Sequence, residues 1–375
     1  MSTETLDRVA VVAGAQTAWR PAWSGLQHVE LIGRAVTGAL KGSGLRMEDV
    51  DVVIDCGSDV LDGRSISNCG FLGAMGGHHK EESRVEEDGL FGVVYAATKI
   101  ACGSARVALV VAYSKPSESS LSAYYSTLAE PFYQRPVGLD HVSVAGLLAS
   151  QYLSTTDASE EDLLTIASRA WERGARNRSI EAPTYGAQDV RSAEMVADPL
   201  TLLQISRPVD GAVAVLLAAE SVARKVTERP VWITGMGSAM DSQYLAERTP
   251  GRMDAAAAAG DRALRQAGIT DRSSIGLAEV SGTSAPAEAM VVEALGFAPH
   301  GRAVDAYADE APLEINPSGG ALPADPVMAT GLVRLHEAAE RLSGRGPQGT
   351  KATRALVHGA GGLGMQNHCV LTVEV

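Results

Sequence analysis

The sequence predicts an α/β protein built from two similar halves. Three observations predict it. First, the chain has 375 residues, 45% of them hydrophobic but only 5% aromatic, with 39 glycines, which suits tightly packed layers better than an all-β sandwich. Second, apolar runs of strand length alternate with segments of helical spacing, the pattern of parallel-rich sheets covered on both faces. Third, the order strand–helix–strand–helix–strand runs twice, without obvious sequence identity between the repeats. The halves are expected at 1–225 and 226–375, with loops and helices inserted in the first at about 115–206.

In the first half, "RVAVVAGAQTA" (Arg8 to Ala18) reads as a buried strand running into a glycine turn. "HVELIGRAVTGALKGSG" has helical spacing and ends at glycines, and "DVDVVIDCG" is a second strand. "RVEEDGLFGVVYAATKIACG" is an extended segment, a polar turn and a buried helix, with Asp88 as N-cap and Gly103 as the C-terminal stop. The first-turn amides of that helix are expected to converge on a spot suited to an anion or a thiolate. "ARVALVVAYS" is a strand. The inserted section holds helices at Leu147 to Leu153 and Glu160 to Asn177, and "RPVDGAVAVLLAAESVARK" closes the half with a turn, a strand and a helix start.

The second half repeats the order. "RPVWITGMGSAM" and "SIGLAEVSG" are strands, each followed by a helix ("RMDAAAAAGDRALRQAG", "PAEAMVVEALG") that ends in glycine. A longer helix is expected over Ala324 to Gly344. "TRALVHGAGGLGMQNHCVLTVEV" reads as strand, glycine turn and last strand.

Composition excludes some functions. The formal charge is −13, and no Lys/Arg cluster suggests nucleic acid or a membrane surface. An anionic ligand stays open, because backbone amides and a few arginines suffice to bind one. No basic segment precedes an apolar run at the start, and no window of about 20 apolar residues exists, so neither a signal peptide nor a membrane span is expected and the cytoplasm is the expected location. Cys56, Cys69, Cys102 and Cys369 are scattered without a CxxC and are expected to be reduced, small buried residues.

Local motifs do not name a reaction. "GAGGLG" (Gly359 to Gly364) matches GxGxxG, but it leads into a strand rather than the helix a dinucleotide requires, so a tight turn lining a site is expected. His78 and His79 are adjacent and point apart, which makes them poor co-ligands in a surface loop; no metal site is expected. "DGRSISN" (Asp62 to Asn68) is a polar loop or an oligomer contact. No GxSxG or P-loop is present.

Four segments in order carry a family resemblance: "RPVDGAVAVLLA", "LAEVSGTSAPAEAMVVEALG", "INPSGGALPADPVMATG" and "HGAGGLGMQ". Across the whole chain the sequence resembles the thiolase superfamily, most closely its sterol-carrier branch. The resemblance implies a duplicated five-layer αβαβα fold. It also implies acyl-CoA chemistry in which a cysteine at the start of a buried helix is acylated, with histidines and a second acid/base assisting.

The sequence departs from that pattern at each reactive position. Gly89 falls on the nucleophile, Ser281 and Asp325 on two histidines, and Thr283 on the sterol-carrier cysteine. The frame remains: Asn316, Gly319, Gly320, Gly361 and Gly362 are the residues that the resemblance assigns to CoA or acyl-CoA, with no covalently bound cofactor. His358 sits where many relatives have Cys or His. Asp325, His358, Ser281 and Tyr307 are the candidate catalytic groups. Cys102, at the far end of the helix, is too distant to replace a thiol at Gly89.

Two functions follow from the resemblance. One is a non-catalytic subunit that completes a heteromeric complex with a competent thiolase, as a dimer or tetramer, together with a zinc-ribbon/OB-fold protein. The other is an active, cysteine-independent acyl-CoA enzyme such as a CoA-ester retro-aldolase or an atypical acyltransferase, using an Asp and a His for acid/base work.

Overall fold

A computed structural model describes residues 7–63, 65–346 and 349–375. The first six residues, part of the segment read for a targeting signal, and Arg64 of the "DGRSISN" loop lie outside them. Twelve strands occur among the described residues: β1 (Val9–Gln16), β2 (Val52–Cys56), β3 (Glu81–Val85), β4 (Val107–Ser114), β5 (Met195–Ala197), β6 (Leu200–Thr201), β7 (Gly211–Ala219), β8 (Val231–Met240), β9 (Leu277–Glu279), β10 (Glu314–Ile315), β11 (Arg354–Gly361) and β12 (Asn367–Glu374). β5 and β6 pair with each other, and the other ten form one sheet in the order β10-β9-β11-β12-β8-β1-β7-β4-β2-β3.

That order is a duplication. The half β1-β7-β4-β2-β3 matches the half β8-β12-β11-β9-β10, strand for strand. In both, the three strands farthest from the junction are parallel and the other ladders antiparallel. The sheet is therefore less parallel than the strand–helix alternation predicts. The reason is local in the second half: β11 and β12 are joined by the glycine turn of "GAGGLG", and a tight turn can only make an antiparallel pair. Within the sheet, the halves meet through the pairs Ala10–Trp232 and Val11–Val231.

Strand side chains alternate between faces, and this divides the core into layers. Val110, Ala112, Val213 and Val215 face a central layer that also takes Val357 and Leu371 from the second half. The central layer is filled by the helices Gly89–Ala101 and Thr330–Ser343. Leu109, Val111, Ala214 and Leu216 face outward against the helix His28–Ser43. Leu356 and Val370 face the opposite outer layer, with the helices Asp254–Gln266 and Ala285–Ala294. The result is the mixed α/β, αβαβα layering that the resemblance implies.

The inserted section packs over the second half. It includes the helices Leu121–Leu128, His141–Thr155 and Glu160–Arg176, the first of which the sequence reading missed. The helix expected from Ala324 begins only at Thr330. Pro326 biases Asp325 away from helical backbone, and Met328 has φ +69°, so residues 324–329 form a loop instead. Among the described residues, no helix is long and apolar enough to cross a membrane.

One buried ion pair fixes the second half to the central layer. Arg334 Nη1 donates to Glu279 Oε2 (3.0 Å) and to Ser318 Oγ (2.6 Å), and both charged side chains are essentially inaccessible. Burial raises Glu279 above the usual carboxylate range despite the guanidinium beside it. Arg334→Met is expected to cost about 3–5 kcal/mol in urea unfolding, because it strands a buried carboxylate; adding Glu279→Met should recover much of that loss.

Candidate active site

The start of the central helix is closed. Asp88 caps it as the sequence predicts, Oδ1 accepting from Leu90 N (3.0 Å). Asp88 Oδ2 also accepts from Gly331 N (2.9 Å), at the start of the other central helix. Gly89 N donates to the Met328 carbonyl (2.8 Å), and Phe91 N to the Asp88 carbonyl. The first-turn amides expected to attract an external anion are thus already satisfied from within the protein. Burial pushes the Asp88 carboxyl up to about 7, the two amides opposing the shift.

Gly89 is glycine because of packing. A Cβ there would lie 2.7 Å from Leu332 Cβ and 3.2 Å from Ala112 Cβ. The space that the missing side chain leaves is filled by Leu332, so no acyl group approaches along it. None of the four thiols substitutes for a nucleophile. Cys56 is close, its Sγ 3.9 Å from the Gly89 carbonyl, but burial and the nearby Asp55 and Asp88 carboxyls drive its pKa well up. Cys369 is likewise buried and shifted up. Cys69 and Cys102 are exposed, contrary to the expectation that all four are buried, because their segments lie at the surface.

Two small adjacent cavities lie where the insertion meets the second half, sharing Tyr125, Thr283, Asp325, Gly362 and Met365 in their walls. One is also lined by His141 and Ser206, the other by Tyr124, Ser281 and Thr330. Gly361, Gly362 and Met365 of the glycine turn close one side. Asp325 is the buried carboxyl of this space. Its Oδ2 accepts from Ser206 Oγ (2.6 Å) and its Oδ1 from Thr330 Oγ1 (2.7 Å). Its backbone is pinned to the first half through Arg207 O and Val209 N. Burial raises Asp325 above the ordinary carboxylate range, and the two hydroxyls hold it down.

The other walls are chemically suited to acid/base work. His141 is the first residue of the helix His141–Thr155, and its ring lies 4.7 Å from that of Tyr125, tilted by 30°. Burial lowers its pKa, so the neutral imidazole dominates near pH 7. The Tyr124 hydroxyl donates to Met328 Sδ (3.3 Å), and burial raises both tyrosines.

Of the residues that the sequence singled out, Asp325, Ser281, Gly361 and Gly362 line the second of these cavities. His358 does not. Ser281 N donates to its Nδ1 (3.3 Å), which places the ring proton on Nε2, facing His368 Nδ1 at 2.9 Å. Burial pushes His358 well down and His368 to about 3, so the pair stays neutral behind the wall. Ser281 Oγ in turn donates to the His358 carbonyl (3.1 Å).

Tyr307 is also elsewhere, its hydroxyl donating to Glu288 Oε1 (2.6 Å) in the core of the second half. Asn316 belongs to the same region, its Oδ1 accepting from Val280 N (2.7 Å). Gly319 and Gly320 allow close packing, since a Cβ would fall 2.7 Å from Gly174 Cα and 2.5 Å from Asn316 Nδ2 respectively. His78 and His79 are exposed, as expected of a surface loop. Tyr124, Tyr125, His141, Ser206 and Thr330 were missed. No periodicity marks "LSAYYSTL" or "GLDHVSV" as cavity walls; only the Asp-His pair at a helix start was available as a signal.

The arrangement defines a duplicated α/β protein with small cavities between its halves that share the Asp325 carboxyl. A family description, "Thiolase C-terminal domain-like", matches residues 237–373. An acetyl-CoA acetyltransferase of Methanothermobacter thermautotrophicus is 25% identical over 385 residues, covering 95% of this chain and 97% of its own. A steroid side-chain-cleaving aldolase of Thermomonospora curvata is 28% identical over 345 residues, covering 85% and 84%. The solved structure "Ltp2-ChsH2(DUF35) aldolase" superposes with TM-score 0.81 at 23% identity, over 99% of this chain and 98% of that one. Residues 237–373 thus match a thiolase C-terminal domain-like family, and the whole chain is similar to an acetyl-CoA acetyltransferase.

If Gly89 is set by packing, Gly89→Ala should lower stability by about 1–3 kcal/mol in chemical denaturation, the usual cost of overpacking.

Proposed function

We propose that this chain is a carbon–carbon lyase that cleaves β-hydroxyacyl-CoA thioesters by a retro-aldol reaction. The observation that carries the reading is the pairing of two features. The position of the family's nucleophile has no room for a side chain, while Asp325 lines two adjacent cavities, one with Tyr125 and His141 and one with Tyr124 and Tyr125. Retro-aldol cleavage needs an acid/base group and no acyl-enzyme, so it fits those cavities better than thiolysis does. The similarity to a protein named for steroid side-chain cleavage supports the same class. The nearby thioester end would be CoA, passing the glycine turn at Gly361 and Gly362.

A partner belongs to this reading. The name of the similar solved structure joins two components, which supports a complex with a second protein, for which a zinc-ribbon/OB-fold type is our expectation. β3 is the free edge of the first half and is the surface on which a thiolase-family dimer partner would add. The non-catalytic-subunit reading draws on the same closed helix start, but it leaves the cavities' carboxyl and imidazole without a task.

The purified chain, with any protein that co-purifies, should release a carbonyl product and a shortened acyl-CoA from 3-hydroxyacyl-CoA thioesters of graded size. It should do so with all four cysteines replaced, and should not thiolyse acetoacetyl-CoA. Asp325→Asn should lower turnover by about 10²-fold. Thiolysis that depends on a cysteine would overturn the proposal.

A further inference from the structure

The lyase reading leaves open which group moves the proton. Asp325 already accepts from two hydroxyls, one on each oxygen, so its lone pairs are partly committed. His141 is differently placed. Its Nδ1 is buried and has no hydrogen-bond partner among the described residues, although the side chain lines a cavity. A buried polar atom left without a partner in a native fold calls for an explanation, and a ligand that completes it is one. The Tyr125 ring, tilted by 30° at 4.7 Å, packs against the imidazole from one side. The charged groups acting on it are Asp140, on its own element, and Asp325, from the loop at residues 324–329. Tyr125, from the helix Leu121–Leu128, is the titratable group packed on its face.

Resting on the lyase reading, we propose that His141 is a catalytic residue that carries the proton in both directions, and that Asp325 is the charge partner of the imidazolium formed on the way. The substrate class is a CoA thioester with a hydroxyl on its β-carbon. The neutral imidazole takes the hydroxyl proton. The electron pair of the O–H bond becomes the π bond of the new carbonyl, the Cα–Cβ bond breaks, and its pair passes into the thioester enolate. The imidazolium then returns the proton to Cα. An O–H and a C–C bond are lost and a C=O π bond and a C–H bond are gained, so no oxidant, reductant or net proton is required. Asp325 is suited to the second role because a carboxylate facing the imidazolium stabilises it in a low-dielectric space.

The assignment also explains why an imidazole is present without the family's histidines. It comes from the insertion in the first half and shares a cavity with Asp325, one of the two residues at the histidine positions of the second half.

The test uses the full chain, with any co-purifying partner, and the 3-hydroxyacyl-CoA that the wild type cleaves best. His141→Gln should lower kcat by about 10²–10⁴-fold while KM changes little. The acid limb of the kcat/KM profile, where protonation of the free imidazole stops the reaction, should disappear in His141→Gln. In Asp325→Asn it should persist at lower pH, because loss of the carboxylate makes the imidazolium harder to form. Free imidazole should restore part of the activity of His141→Ala, which separates a lost proton carrier from a lost fold. A cleaving wild type whose His141→Gln variant keeps its kcat and acid limb overturns this assignment alone. A wild type that cleaves none of the thioesters removes the lyase reading and this assignment with it.

Discussion

The tertiary structure depends on how closely the two central helices begin. Asp88 caps one helix and accepts from Gly331 N of the other, so a single buried carboxyl joins equivalent helices of the two halves. Glycines make the approach feasible: a Cβ at Gly331 would lie 2.2 Å from Asp88 Oδ1, and one at Gly359 2.6 Å from it. Burying a carboxylate is costly unless hydrogen bonds offset the loss of water, and two amides do so here. Any side chain at Gly89, Gly331 or Gly359 would push the helix starts or β11 apart.

That close approach positions the cavities. It holds Thr330 against Asp325, brings the end of β11 with Gly361 to the same wall, and leaves the loop at residues 324–329 to run beneath the insertion. The insertion then adds what the second half lacks, two tyrosines, an imidazole and the Ser206 hydroxyl. Neither half carries the full set alone. The chemistry is a property of the junction, in keeping with sites at strand ends of α/β folds.

Burial also sorts reactive-looking residues into different roles. His358 is neutral because burial and the neighbouring His368 disfavour the imidazolium, and its ring instead accepts from the Ser281 amide. Tyr307 and Glu288 bond to each other deep in the second half, where burial pushes the glutamate to about 7. Their bond leaves Glu288 Oε2 without a hydrogen-bond partner among the described residues. Asp325 and His141 differ only in that their environment includes an opening.

The sequence by itself determined the architecture. Hydrophobic alternation, helical spacing and glycine stops located the main strands and most helices, because these are local consequences of period and backbone freedom. Through the family resemblance it also pointed to Ser281, Thr283, Asp325 and His358 as one group, of which the first three line a common cavity. Only the tertiary structure decided which polar residues face a cavity. Asp325 and His358 look equally suitable in sequence, yet one meets open space and the other meets His368. His141 and Tyr125 carry no periodic signal, since a residue's exposure to a cavity depends on contacts nearly two hundred positions away. Gly89 reads as a vacated nucleophile position in sequence, whereas Leu332, brought from the other half, is what fills it.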